Sequence, residues 1–250
     1  MREVLSAISP RLKSKMQKAF RSVGLDVTIY GPRHNPGLRL VDFLKTHEID
    51  LVFDVGANRG QFAKEIFASG FSGRLVSFEP LPDVHAKLIE EAKLSGQRWE
   101  VAPPMALSDE AGVAEFQITH SDASSSLLHP TADLVSTLPQ VGVVKKVQVQ
   151  TERLDVAATP YLSQSRRPFL KVDVQGAEGQ VLRGGANVLE RCHGAIVETG
   201  VEKLYHGQSS VQDILLLLLN SGFEVWDIST AYRSPKTHRL GQVDITCFRP

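Results

Sequence analysis

The chain has 250 residues, 42% of them hydrophobic and 22% charged, with Lys plus Arg balanced against Asp plus Glu at 28 each. That is the composition of a globular domain with a sizeable core, and it lacks the net positive charge that would favour nucleic acid or an anionic bilayer. Cys192 and Cys247 stand far apart with no His or Cys at metal-ligand spacing, so neither a disulfide framework nor a zinc site is expected, and a cytoplasmic location is the default.

The first stretch, Met1 to Arg21, reads as a helical arm. Val4, Leu5, Ile8, Leu12 and Met16 approximate an apolar stripe interrupted by Pro10, with six basic residues against Glu3. Such an arm suits the surface of a membrane or a grip on an anionic acceptor, and the plainer reading is a solvated helix that caps the domain or its partner subunit in a homodimer. It lacks the sustained apolar core of a signal peptide, and the longest aliphatic run, Ile214 to Leu219, is too short to cross a bilayer. Val27 to Tyr30 predicts a short strand and Leu38 to His47 a helix, so residues 1–48 are assigned to an arm and 49–250 to the main domain.

Leu51-Val52-Phe53 is a strand-forming run that leads through Asp54 into a turn with Gly56, Ala57, Asn58 and Gly60. Phe62, Ala63, Ile66 and Phe67 then recur at helical spacing. A strand, a glycine turn and a helix open many nucleotide-binding α/β folds. The spacing is neither the dinucleotide fingerprint nor a P-loop, and a cofactor without pyrophosphate fits it better, S-adenosylmethionine first. A plain glycine turn in another kind of α/β protein is the competing reading.

Arg74 to Phe78 is a second strand ending in Glu79, where such folds hold a ribose diol. Asp83 to Leu94 follows as a helix with Asp83 as its N-cap. Trp99 to Met105 is a third strand, and Leu107, Ser108 and Asp109 after it suit an adenine or a simple turn. Val113 to Thr119 and Val141 to Gln150 alternate as strands, and between them Ser124-Ser125-Ser126 is a flexible loop or a substrate-facing one. Phe169 to Val174 carries Asp173 to the edge that already holds Asp54 and Glu79. Glu178 opens a helix, Ala195 to Val197 ends in Glu198, Val211 to Leu219 is helical, and Phe223 to Ile228 and Asp244 to Phe248 are the last strands. Five strands thus end in acids, and ligands of open α/β sheets bind outside those carboxyl ends. Any one acid can merely cap a helix; together they favour an adenosyl cofactor.

The motifs DVGANRG, SFEP, ALSD, SSSL, TERLD, FLKVDVQGAE, VLRGGANVL and IVET, in this order, resemble the FkbM family of S-adenosylmethionine-dependent methyltransferases over roughly residues 50–228. The resemblance implies a class I methyltransferase (Rossmann-like) α/β sheet of about seven strands, mostly parallel with an antiparallel last strand, and helices on both faces. It carries cofactor contacts onto Gly56, Asn58 and Gly60 at the methionine part, Glu79 at the ribose, Ser108 and Asp109 at the adenine, and Asp173 near the methionine amine or the methyl. Asp54, Ala57, Phe62 and Leu107 complete the expected cofactor set. Gln175 departs from the family's more frequent Glu, which puts base or metal chemistry by that acid in doubt.

The implied activity is O-methyl transfer to a sugar, glycan or hydroxylated metabolite, with Ser124, Ser125 and Glu178 on the acceptor side. A hydroxyl nucleophile benefits from a general base, for which Asp173, Glu198 and His206 are the candidates. A divalent ion held by Asp173, Glu178 and Glu198 is the other use of these acids, but capping and structural roles explain them and no metal is expected. Two alternatives stay open: the same chemistry on a lipid-linked acceptor, and a non-catalytic nucleotide-binding or scaffold protein.

Overall fold

The computed structural model describes residues 10–28 and 30–250. The arm expected over residues 1–48 divides in two. Helix α1 (Pro10–Ser22) stands exposed, whereas α2 (Pro36–Thr46) buries Leu40, Val41 and Leu44 in the main core. Asn35 caps α2, its side chain accepting from the Leu38 N–H at 2.9 Å. Val4, Leu5 and Ile8 lie outside the described residues. The strand expected over Val27–Tyr30 is irregular at residues 27, 28 and 30, where Val27 and Tyr30 face solvent, and Ile29 lies outside the described residues.

Seven strands form the main sheet: β1 (Leu51–Val55), β2 (Arg74–Phe78), β3 (Trp99–Val101), β7 (Pro168–Val172), β8 (Gly194–Gly200), β9 (Glu224–Arg233) and β10 (Leu240–Phe248). Their order is β3-β2-β1-β7-β8-β10-β9, with β10 antiparallel to both β8 and β9. β1 and β7 are buried along their whole lengths, which is why they read as unbroken apolar runs rather than alternating ones. One face packs against α2, α3 (Gln61–Ala68) and α4 (Pro82–Ser95) through residues such as Val41, Ile66 and Leu88. The other packs against later helices, α6 (Leu154–Ala157) to α10 (Val211–Asn220), through Leu154, Val181, Leu189 and Leu218. Both cysteines are free and buried in this second cluster.

Residues 99–105 do not form one strand. β3 ends at Val101, and β4 (Ala106–Ser108) joins a second sheet of order β4-β6-β5, with β5 at Gly112–Thr119 and β6 at Val143–Arg153. Pro103 and Pro104 interrupt the run, because proline brings no N–H to a ladder. Leu81, not Asp83, is the N-cap of α4; Pro82 takes the first helical position and Asp83 lies in the first turn. Val55 pairs with Phe78 on one side and Val172 on the other, so Gly56, Glu79 and Asp173 leave three adjacent strands at one edge.

Candidate active site

The turn after β1 is left-handed at Gly56 (φ 77), Asn58 (φ 47) and Gly60 (φ 76). A Cβ on Gly56 would stand 1.8 Å from the Asp173 carbonyl oxygen, so only glycine lets the β1 and β7 ends approach this closely. A Cβ on Gly60 would meet the Trp99 ring at 2.3 Å, so that glycine serves helix–strand packing. Beneath the turn lies Lys171, buried, with Nζ 2.9 Å from Asp54 Oδ1 and donating to the carbonyls of Val55 (3.2 Å) and Gly56 (2.9 Å). Burial works to lower its pKa, but Asp54 and Asp173 outweigh it and the net shift is upward. Asp54 is wholly buried and also accepts from Ser77 Oγ at 3.3 Å. It therefore braces the turn from below.

A cavity of about 440 Å³ opens over this edge, a size suited to a cofactor or small ligand. Gly56, Ala57, Asn58, Phe62, Glu79, Leu107 and Asp173 line it. Glu79 accepts from the N–H groups of Asn58 (3.0 Å) and Leu81 (2.9 Å), and burial pushes its pKa up to about 7. Each carboxylate oxygen has a second lone pair, so capacity remains for ribose hydroxyls. Asn58 Oδ1 is buried without a hydrogen-bond partner among the described residues, as an acceptor awaiting a ligand donor would be. Met105, Phe116 and Leu127 add an apolar wall beside Leu107. The residues present thus fit an adenosyl cofactor.

Several expected residues stand elsewhere. Asp54 and Gly60 serve the turn rather than the wall. Ser108 ends β4 and does not line the cavity; its carbonyl packs so closely on α8 (Glu178–Gly184) that a Cβ on Gly184 would stand 1.9 Å from it. Asp109, expected at the adenine amine, instead accepts from Arg183 at 3.0–3.1 Å, off the cavity. Ser125 lines the cavity but Ser124 does not; the Ser124 carbonyl accepts from Tyr205 at 3.3 Å. Glu178 is buried, accepting from the N–H groups of Val174 (3.1 Å) and Gly176 (2.9 Å), and shapes the turn rather than facing an acceptor. His206 is exposed on a loop and does not line the cavity.

Glu198, expected as a base candidate, lines the cavity together with residues to which the sequence assigned no role. It pairs across the sheet with Asp244, and Ile196 with Thr246; all four line the cavity. Leu40 and Phe43 of α2 stand over them, and Arg39 anchors α2 to β9 through Asp227 at 2.7 Å. Burial, with Asp173 second, pushes Glu198 to about 9 and Asp244 to about 6. Two signals in the sequence pointed here: a lysine inside the apolar run FLKV, and an Asp-x-Thr alternation within VDIT. Among the described residues no group of three or more His, Cys, Asp or Glu is arranged to hold a metal ion.

A seven-stranded sheet in this order, with one antiparallel strand and a cavity over its carboxyl edge whose lining fits an adenosyl cofactor, defines a class I S-adenosylmethionine-dependent methyltransferase. The chain belongs to the FkbM family of these enzymes: the model of the methyltransferase FkbM domain matches residues 54–225. It is 30% identical over 177 residues to the 2-O-methyltransferase NoeI of Sinorhizobium fredii (strain NBRC 101917 / NGR234), covering 67% of this chain and 70% of that one. Among solved structures it is similar to the magnesium protoporphyrin IX methyltransferase ChlM of Synechocystis PCC 6803 with bound SAM, at 12% identity and a TM-score of 0.46, over 95% and 97% of the two chains. TehB from Haemophilus influenzae matches at 9% identity and a TM-score of 0.46, over 85% of this chain and 62% of that one.

Proposed function

We propose that the chain methylates a hydroxyl of a sugar, glycan or other hydroxylated small molecule by in-line transfer. The observation that carries this reading is the half of the cavity beyond Asp173. There Glu198, Ser229, Asp244 and Thr246 present hydrogen-bonding groups below the apolar Leu40 and Phe43, a pairing that suits a polyhydroxylated ligand. Similarity to NoeI, a 2-O-methyltransferase, supports oxygen as the accepting atom.

S-adenosylmethionine, when bound, supplies a methyl carbon on a sulfonium sulfur, open to displacement from the side opposite the sulfur. Gly56 to Asn58 would hold its methionine end with Asp173, Glu79 its ribose, and Leu107, Phe116 and Leu127 its adenine. The chain's task is alignment, because in-line transfer depends on holding oxygen, carbon and sulfur in register. A hydroxyl also needs somewhere to put its proton. Asp244, raised by burial to about 6, is charged at neutral pH and takes that proton; Glu198, raised to about 9, keeps its own and donates to the acceptor. The test is tritiated-methyl transfer from labelled cofactor into extracts fractionated into glycans, lipids, small metabolites, protein and nucleic acid. Label in the glycan or small-metabolite fraction, lost in Asp244→Asn, is expected; label confined to protein or nucleic acid overturns the reading.

One observation favours a lipid-linked acceptor as the second reading. On α1, Met16, Phe20 and Val23 just beyond it are exposed along one stripe, and the helix carries Arg11, Lys15, Lys18 and Arg21 with no acidic residue. No helix among the described residues is long and apolar enough to cross a membrane, so contact would be interfacial. Sedimentation with phosphatidylglycerol-containing vesicles decides it: identical behaviour with and without residues 1–22 rejects a membrane role.

A further inference from the structure

The turn after β7 is built with unusual care around one neutral side chain. Gln175 has φ 55, a left-handed conformation uncommon outside glycine, and Gly176 follows at φ 102. The Glu178 carboxylate gathers the N–H groups of Val174 and Gly176, while Ser126 Oγ donates to the carbonyls of Val174 (3.1 Å) and Gln175 (2.8 Å). These bonds hold a strained conformation, which implies a purpose for it.

The purpose lies at the side chain. Gln175 Nε2 donates to Asp173 Oδ1 at 2.8 Å and to Glu198 Oε1 at 2.9 Å, so each of its two N–H bonds has its own carboxyl group. Its Oε1 accepts from the Tyr205 hydroxyl at 3.0 Å. Tyr205 is buried and its pKa is raised by that burial, so it remains a donor and fixes which way round the amide sits. Glu198 Oε1 is held by a second amide, Gln242 Nε2, at 2.8 Å. Two carboxyl groups within reach of one nitrogen repel when both are charged; at neutral pH Glu198 keeps its proton, and the shared amide donor holds the pair at a fixed separation.

We infer that Gln175 is a positioning residue for methyl transfer, its amide bridging Asp173 and Glu198 and fixing their separation where the cofactor and acceptor halves of the cavity meet, in the place of a shared cation. The inference rests on the reading of this cavity as the methyl-transfer site. The charged and titratable groups facing the bridge are Lys171 and Asp173 from the β7 end, Glu198 from β8, Asp244 from β10, Glu178 from α8 and Tyr205 from the loop before α10. Lys171 is already shared by Asp54, Asp173 and two carbonyls, so it does not replace the amide.

The test needs no acceptor. Carboxyl-carbon NMR titration of the full chain follows Asp173 and Glu198 in wild type, Gln175→Ala, Gln175→Glu and Tyr205→Phe, with MnCl₂ alone as the cation probe. The alanine variant loses a donor to the charged form and raises the Glu198 midpoint; the glutamate variant adds a third carboxylate and raises it further, by about one pH unit or more. Mn²⁺ should broaden both carboxyl signals in Gln175→Glu only. Tyr205→Phe, which changes no charge in the bridge, removes the donor to Gln175 Oε1 and should shift the Gln175 side-chain amide signals, and so tests the bridge even if the glutamate variant does not fold. Unchanged midpoints and amide signals across the variants would overturn the inference, as would Mn²⁺ broadening of the wild-type signals. S-adenosylhomocysteine calorimetry on the same samples separates the two levels: binding with no bridge effect removes only the bridge, and no binding by wild type removes the reading of the cavity.

Discussion

Replacing Lys171 with methionine keeps an unbranched side chain, shorter by one atom, and removes the charge and the donors. The structure gives the size of the effect. The Nζ lies 2.9 Å from a carboxylate that is wholly buried, and it donates to two carbonyls at the mouth of the glycine turn. Breaking a buried pair by deleting one partner costs about 3–5 kcal/mol, because the remaining charge stays desolvated. Against a total stability of roughly 5–15 kcal/mol that is a large share, and in a chain of this size it lowers Tm by about 6–20 °C. Urea unfolding of the cofactor-free chain measures it, with the midpoint falling and the slope unchanged. The double variant Asp54→Asn with Lys171→Met should recover much of the loss, since it removes the stranded charge as well. A single-variant loss below about 1 kcal/mol, or a double variant no more stable than the single one, would refute the claim that the pair braces the cofactor turn.

Gly56→Ala places a methyl group against the Asp173 carbonyl at a left-handed φ, and should cost roughly 3 kcal/mol or more together with cofactor binding; a variant that melts and binds as wild type removes the close-approach argument. Glu79→Ala withdraws a buried carboxylate from two N–H groups and from the ribose position, so calorimetry with S-adenosylhomocysteine should show a loss of about 10- to 100-fold. Methyl transfer should rise as pH climbs through about 6, where Asp244 loses its proton, and fall above about 9, where Glu198 loses the one it donates; a rise continuing through about 9 assigns the base to Glu198 instead. Asp244→Asn should lower kcat by about 10²-fold or more, whereas His206→Ala should change it less than about twofold, because His206 is exposed away from the cavity.

Much of this architecture can be read along the chain because it rests on local chemistry. Buried parallel strands write themselves as unbroken apolar runs, as in Leu51 to Val55, and the turn that follows needs glycine where a side chain would collide with the neighbouring strand. Strand order then follows from alternating strands and helices, so the arrival of Gly56, Glu79 and Asp173 at one edge is available before any coordinates. Family membership and the cofactor come from that level.

Contacts between distant segments are a different matter, since periodicity carries no information about them. Asp54 and Asp109 look alike as acids after strands. One is neutralised by Lys171, 117 positions on, and the other by Arg183, and neither lines the cavity. The serine run looks like a loop, yet it is Ser126 that clamps the Gln175 turn. Only tertiary structure brought Asp244 beside Glu198, through an antiparallel pairing, and set Leu40 and Phe43 of α2 in the wall of the same cavity. The physical reason is that hydrophobic pattern and turn chemistry decide where a strand ends and what can follow it. Which charges meet there depends on the register of strands far apart in sequence, and on the burial that packing then imposes.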